Sequence, residues 1–189
     1  MSTKSIYRIG GVCGIVVVVA TFALFATTDP SGNRSLMTHI LSWIIGLGSL
    51  VLFYAAYLRC RESAPLFSLL ALIAGIGGNA LFLFGTFSPS FYGIGDFGET
   101  LVLMLAAPLF GIAYFRTQGI SRILAVIGIL TGVAGLANSL VIKMDGGSWS
   151  APNDPANLPA IMGTYLAFVL GYVIWVGWTS AHLLKSSKQ

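Results

Sequence analysis

The sequence predicts an all-α integral membrane protein, a six-transmembrane-helix bundle that forms a single domain over residues 1–189. Of these residues 56% are hydrophobic and 8% are charged, whereas a soluble domain carries about a quarter charged residues. Six apolar stretches have, or approach, the roughly 20 residues that cross a hydrocarbon core about 30 Å thick. Their residues do not alternate between apolar and polar, so a membrane β-barrel is not indicated.

The predicted spans are residues 9–27, 39–58, 64–87, 99–115, 121–142 and 158–184. The first follows Lys4 and Arg8 as a secretory signal would, but "ALFATT" has no small-x-small cleavage pattern, so we expect a retained helix. The third and sixth follow "SAP" and "NLP", where Ser63 and Asn157 are expected to cap helices that begin near a proline. The fourth is the shortest and contains Pro108, which is expected to kink it, either as a static bend or as a hinge.

The distribution of basic residues predicts the orientation of the chain. With a cytoplasmic N-terminus, the inner segments hold Lys4, Arg8, Arg59, Arg61, Arg116, Arg122, Lys185 and Lys188. The outer segments hold Arg34 and Lys143. Since the connecting loops are short, the positive-inside rule places both termini in the cytoplasm and the chain in the cytoplasmic membrane. This orientation accounts for the net charge of +4, and no basic run is dense enough to indicate nucleic acid.

Cysteines and histidines indicate neither a metal site nor a cofactor. Cys13 and Cys60 fall at the cytoplasmic ends of their spans, where thiols stay reduced, and no histidine stands at zinc-ligand spacing from them. We expect Cys60 to react with thiol reagents only from the cytoplasm. His39 and His182 fall at opposite ends of the bundle, so they cannot ligate one haem iron.

A phrase of the sequence is repeated. Residues 52–78 align with residues 109–135 at an offset of 57, with seven identities in 27 positions. In each copy a helix runs inward, ends in Tyr-x-Arg, turns, and returns through Gly-x-x-Gly. The copies predict a parallel repeat of two helical hairpins, spans 2–3 and spans 4–5, related by an axis along the membrane normal.

Small residues at four-residue spacing predict close helix packing. Gly10 with Gly14, and Gly128 with Gly132, form small-xxx-small faces that let helix backbones approach each other. We expect these faces to pack inside the bundle, with homodimerisation as the alternative.

No ionisable residue falls at the centre of a predicted span, which argues against proton-coupled transport and against intramembrane hydrolysis by carboxylates. The polar residues that remain are Asn79 and Asn138, in the outer halves of the third and fifth spans. Their amides are expected either to form hydrogen bonds between helices or to line an outward-facing cavity.

Polar residues near the outer face have two interpretations each. Asp96 and Glu99 in "DFGET" fit a capping box, and alternatively a pair of carboxylates for acid–base or metal chemistry. His39 is expected to face water at the interface, and alternatively to share an outer site with Asp96 or Asp145.

Aromatic residues complete the candidate site. Trp43 lies near a predicted interface, where tryptophans are enriched, and Tyr172 and Trp175 share a helix face that either packs on a neighbour or holds a flat ligand. No catalytic residue is predicted. The candidate ligand-binding residues are Asn79, Asn138, His39, Trp43, Asp96, Glu99, Tyr172 and Trp175.

The runs "GIAYFRTQGISRILAVIGILTGVAGL" and "YRIGGVCGIV" resemble a family of uncharacterised six-helix bacterial membrane proteins, a domain of unknown function. The resemblance implies a compact six-span bundle and carries over no catalytic residue. The loop "GGSWSAPNDPAN" departs from the family pattern.

These features predict a non-enzymatic protein in contact with the lipid bilayer. It would bind a small apolar or lipid-like ligand, or act as a component of a membrane complex with another membrane protein or a second copy of itself. The alternative is a small transporter or channel with an outward-facing polar cavity. A third hypothesis is an intramembrane enzyme that uses His39, Asp96, Glu99 and Asp145 at the outer face.

Overall fold

The structure, a computed structural model, describes residues 2–27, 35–146 and 153–188. Its α-helices are α1 Thr3–Thr27, α2 Leu36–Cys60, α3 Pro65–Gly85, α4 Tyr92–Leu101, α5 Ala107–Arg116, α6 Arg122–Asp145 and α7 Leu158–Ser186. Within the described residues six helical stretches are long and apolar enough to cross a membrane, with α4 and α5 sharing one of them. The predicted all-α six-span bundle is confirmed.

The six spans form a closed ring in chain order. Each span packs on the next, and α1 closes the ring by packing on both α2 and α7. Across the middle, α2 also contacts α5 and α7, and these three helices supply most of a core to which the other spans also contribute. We call the end of the bundle that carries the 61–64 and 117–121 connections the basic end, because Arg59, Arg61, Arg116 and Arg122 lie there.

The fourth span is interrupted rather than simply kinked. Between α4 and α5, residues Val102–Ala106 form a π-helical segment, in which the Ala107 N–H donates to the Val102 carbonyl five residues earlier. Pro108 follows directly and has no N–H to donate. A proline ring clashes with the carbonyl four residues before it in a regular helix, and the wider π turn relieves that clash.

Close glycine contacts join α4 to α3. A Cβ on Gly78 would lie 2.7 Å from the Gly98 carbonyl oxygen, and a Cβ on Gly85 would lie 2.6 Å from the Gly95 nitrogen. Small residues at such contacts let two backbones pack tightly. This packing explains why α4 begins at Tyr92, well before the predicted capping box.

The predicted helix caps are wrong in three places. Asp96 and Glu99 lie inside α4, whose N-cap is Phe91, so they do not form a capping box at its start. The N-cap of α3 is Ala64 rather than Ser63, and the Asn157 side chain does not cap α7. Both helices have a proline in the first turn. Because proline has no backbone N–H, that position leaves no donor for a capping side chain to satisfy.

The small-residue faces pack within the bundle. A Cβ on Gly14 would meet Leu52 of α2 at 3.1 Å and the Ser180 side chain of α7, while Gly10 faces Ala55 of α2. A Cβ on Gly128 would lie 2.8 Å from the Trp175 indole nitrogen. The predicted internal packing of these faces is therefore what the structure shows.

Cys60 is 0% exposed at the end of α2. The expectation that this thiol reacts with reagents from the cytoplasm is wrong, because helix packing covers the sulfur. Cys13, on α1, is partly exposed.

Candidate functional site

Two apolar grooves flank the fourth span. The first, the α3 groove, has a volume of about 410 Å³. It is lined by Leu70, Ile73, Ala74, Gly77 and Gly78 of α3 and by Leu101, Leu105 and Leu109 of the fourth span. The second, the α6 groove, has a volume of about 450 Å³ and lies between the fourth span and α6. Both grooves are open along one side and do not enclose a cavity.

Two neighbouring glycines of α3, the exposed Gly77 and the buried Gly78, line the α3 groove. A Cβ placed on Gly77 would meet no atom within 4 Å, whereas one on its neighbour Gly78 would lie 2.8 Å from a Val102 methyl group. Gly78 therefore sets how closely the fourth span approaches α3, and Gly77 leaves the adjacent space empty. At the rim Ile73 is 59% exposed and Leu105 is 46% exposed, so the groove opens sideways to the lipid around the bundle.

The π-helical segment forms the wall between the two grooves. Leu101 and Leu105 line both of them, and Pro108 lines the α6 groove, where its ring lies against Gly132. A π segment widens the helix by one residue, and such segments occur frequently at functional sites. The irregular part of the bundle and its two grooves therefore coincide.

Arg116 lies beyond the basic end of the α3 groove. Its guanidinium lies over the ring of Phe67, with the central carbon 4.9 Å from the ring centroid. Phe67 is three residues before the groove residue Leu70 on α3, and Arg116 is seven residues after Leu109 on α5. Residues at these spacings share a helix face, so the apolar groove leads towards a cation.

The predicted residues Asn79 and Asn138 are both buried within the bundle. Asn79 is 3% exposed, and its Nδ2 donates to the Gly75 carbonyl of its own helix at 2.7 Å. Asn138 is 7% exposed, and its Oδ1 accepts a hydrogen bond from the Thr164 hydroxyl of α7 at 3.0 Å. Asn138 thus joins two helices, Asn79 bonds within one helix, and neither lines the α3 groove or the α6 groove.

Tyr172 and Trp175 belong to the core of the bundle. Trp175 is 0% exposed, and its ring lies 6.0 to 6.3 Å from the rings of Phe53, Phe110, Tyr114 and Tyr172. The Tyr172 hydroxyl lies 3.4 Å from the Ser49 hydroxyl of α2. Within the described residues the Trp175 indole nitrogen has no hydrogen-bond partner. The face that carries Tyr172 and Trp175 therefore packs against neighbouring helices.

His39 and Trp43 lie on the first two turns of α2, away from the two grooves. Trp43 packs edge-on against Phe87, with the ring centroids 5.3 Å apart. His39 is half-buried. Among the described residues no three histidine, cysteine or acidic side chains are grouped as metal ligands would be.

The acidic candidates are not brought together by the described contacts. Asp96 lies within α4, and its side chain lies outside the described part of the structure. Glu99 is exposed near the start of the fourth span, within electrostatic reach of the Tyr165 hydroxyl. Asp145 has a different partner set in the loop before α7.

The Asp145 carboxylate joins the end of α6 to residues 153–157, just before α7. It accepts hydrogen bonds from the Asn153 N–H at 2.6 Å, the Asp154 N–H at 3.1 Å and the Asn157 side-chain amide at 2.9 Å. The side-chain amide of Asn153 donates a second hydrogen bond, to the main-chain carbonyl of Asp145, at 2.9 Å. These donors occupy the oxygens that an outer catalytic or metal site would need.

The chain was compared with known protein families, curated proteins and solved structures. No family model, curated protein or solved structure matches this chain. The resemblance to a family of uncharacterised six-helix membrane proteins therefore stays a prediction.

Sequence reasoning missed the grooves, which became visible only with the helix contacts. The available signal was the glycine pair Gly77 and Gly78, one buried and one open, next to the proline of the fourth span. Such a pair does not predict a groove unless the neighbouring helix is known.

Proposed function

We propose that the protein is a multi-pass component of the cytoplasmic membrane that binds the acyl chain of a lipid-like ligand in the α3 groove. The observation that carries this proposal is the apolar groove itself, with the exposed Gly77 among its lining residues and its rim open to lipid. An apolar concavity of this size suits an apolar chain, because ligand sites bury most of the ligand against hydrophobic side chains.

The proposal includes the orientation predicted from the sequence, with both termini in the cytoplasm. Its support is the cluster of arginines at the basic end, where Arg61 lies on a connection and Arg59, Arg116 and Arg122 lie at the adjoining helix ends. Basic residues in short loops stay on the cytoplasmic side during insertion. The basic end would then face the cytoplasm.

The transport alternative receives less support from the described residues. It depended on Asn79 and Asn138 lining a polar cavity, and both amides have partners within the protein. Both grooves are lined almost wholly by apolar side chains, and Thr100 of the α6 groove is the exception. Acyl-chain binding therefore accounts for the grooves better than passage of a polar solute.

The test fills the groove without disturbing the bundle. Gly77→Leu places a side chain where a Cβ meets no atom within 4 Å, so we expect a folded protein with a blocked α3 groove. Gly163→Leu is the matched control, because a Cβ on Gly163 of α7 also meets no atom within 4 Å and Gly163 lines neither groove.

The measurement is the number of phospholipid molecules retained by each purified variant after detergent washing, counted by native mass spectrometry. The proposal expects retained lipid in the wild type and in Gly163→Leu, and its loss in Gly77→Leu. Equal retention in all three proteins would contradict it.

A further inference from the structure

We propose that Arg116 binds the phosphate of the same lipid whose chain lies in the α3 groove, so that the ligand is an anionic phospholipid of the leaflet at the basic end. This inference rests on the proposed function and adds the headgroup class. It combines an apolar groove with a cation on the same helix face.

The dimensions of the groove and the cation fit one lipid. Leu101, Leu105 and Leu109 line the groove, and Arg116 follows on the same face of α5 two turns later. At 1.5 Å per residue, the helix between Leu105 and Arg116 is about 16 Å long. Half of the hydrocarbon core is about 15 Å thick. The part of the groove from Leu105 towards Arg116 thus matches the depth of one leaflet, and Leu101 lies beyond the midplane.

Arg116 is placed to bind an anion. Its guanidinium is exposed, and the Phe67 ring supports one face of it at 4.9 Å. A guanidinium that lies over an aromatic ring can still donate from its N–H groups, and its planar fork can bind a phosphate through two hydrogen bonds. Among the described residues no carboxylate pairs with it.

The equivalent arginine of the repeat has a structural partner instead. Arg59 donates from Nη2 to the Gln118 carbonyl at 2.8 Å and so ties α2 to the 117–121 connection. Arg59 and Arg116 occupy matching positions of the two copies, and Arg116 contacts Phe67, which lies one turn from the groove residue Leu70. Arg122, at the start of α6, adds positive charge on the other side of α5.

Charge selects the lipid class. A zwitterionic headgroup presents its own cation next to the phosphate, whereas an anionic headgroup presents the phosphate without one. One basic residue near the membrane surface favours binding of an anionic lipid over a zwitterionic lipid by about fivefold. We therefore expect phosphatidylglycerol to be bound in preference to phosphatidylcholine.

The test uses the full-length protein in a mild detergent with an equimolar mixture of phosphatidylglycerol and phosphatidylcholine. Native mass spectrometry gives the ratio of the two lipids bound. We expect Arg116→Gln to lower the ratio about fivefold without lowering phosphatidylcholine binding. Arg116→Lys should retain part of the preference, because it keeps the charge and loses the planar fork.

The control is Arg8→Gln, which removes an exposed charge from α1, a helix that contributes no residue to either groove. If Arg116→Gln binds the two lipids in the same ratio as the wild type and Arg8→Gln, the headgroup assignment is overturned. The acyl-chain site would still stand in that case, provided that Gly77→Leu abolishes lipid binding. If Gly77→Leu also retains its lipid, the acyl-chain site itself is wrong. The two failures are therefore distinguishable.

Discussion

Phe53 and Phe110 stack on each other at the centre of the bundle, with ring centroids 5.8 Å apart and an interplanar angle of 16°. They occupy matching positions in the two copies of the repeated phrase. The stack therefore joins the two predicted hairpins, spans 2–3 and spans 4–5, at the core of the bundle. The parallel repeat itself stays a prediction.

The arginines at matching positions also join the two hairpins, but through different contacts. Arg59 of the first copy reaches the Gln118 carbonyl in the second copy, and Arg116 of the second copy lies over Phe67 in the first. Each arginine thus crosses to the other hairpin.

The first prediction concerns the Phe53–Phe110 stack. Either Phe53→Ala or Phe110→Ala should lower the free energy of unfolding by about 3 to 5 kcal/mol, because each leaves a cavity among fully buried side chains. The double variant should show a coupling energy of about 0.5 to 1.5 kcal/mol from the lost ring contact. Unfolding in mixed micelles measures these values.

Phe22→Ala is the control for this stack, because Phe22 of α1 is 54% exposed. We expect it to change the free energy of unfolding by less than either core variant. Additive effects of Phe53→Ala and Phe110→Ala, with no coupling, would show that the stacked rings do not stabilise each other.

The second prediction concerns the contact between α5 and α6. A Cβ on Gly132 would lie 2.6 Å from Cγ of Pro108, and a proline ring cannot move away as a flexible side chain can. Gly132→Ala should therefore lower the unfolding free energy by about 1 to 3 kcal/mol. Gly163→Ala, with open space at its Cβ, should leave stability unchanged or raise it. Equal thermal stability of the two variants would argue against close packing at Pro108.

The third prediction concerns the Asp145 carboxylate. Asp145→Asn removes the charge that accepts from the Asn153 and Asp154 N–H groups, so we expect amide hydrogen exchange there to become at least about tenfold faster. Asp154→Asn should accelerate exchange at Ala156, whose N–H donates to Asp154, and leave Asn153 unchanged. Unchanged exchange in Asp145→Asn would mean that the carboxylate does not hold the loop.

The fourth prediction concerns orientation. Since Cys60 is buried, the test needs exposed positions, and Gln118 at the basic end and Ser90 at the opposite end provide them. In a Cys13→Ser background, a membrane-impermeant thiol reagent added to intact cells should label Ser90→Cys. Gln118→Cys should be labelled only after the cells are permeabilised. The reverse pattern would place the basic end outside.

The six spans were predictable because hydrophobicity and length decide membrane crossing, and both are properties of single segments. The start of α4 was not predictable, since it depends on how Gly95 and Gly98 meet Gly78 and Gly85 of another helix. "DFGET" resembles a helix start, but the helix continues to Tyr92 because that contact stabilises the preceding turn. Local capping patterns are weaker than tertiary packing here.

The candidate site also has a part that could be predicted from single segments and a part that depends on packing between helices. The sequence identified polar and aromatic residues within the spans, and the structure assigns several of them to packing, as for Asn138 and Trp175. The grooves instead arise from missing side chains, as at Gly77, and a space between helices has no signature in one segment. Asp145 acquired its role only from donors that lie eight to twelve residues away along the chain.

The most direct test of acyl-chain binding in the α3 groove is photo-crosslinking with a phosphatidylglycerol that carries a diazirine in its chain, mapped by peptide mass spectrometry. We expect the washed wild-type protein to be labelled at Ile73 and Leu105 in excess of Val19 and Ile174, which are exposed outside the groove. Gly77→Leu should remove that excess and Gly163→Leu should keep it. Equal labelling at all four positions, unchanged by Gly77→Leu, would contradict the proposed site.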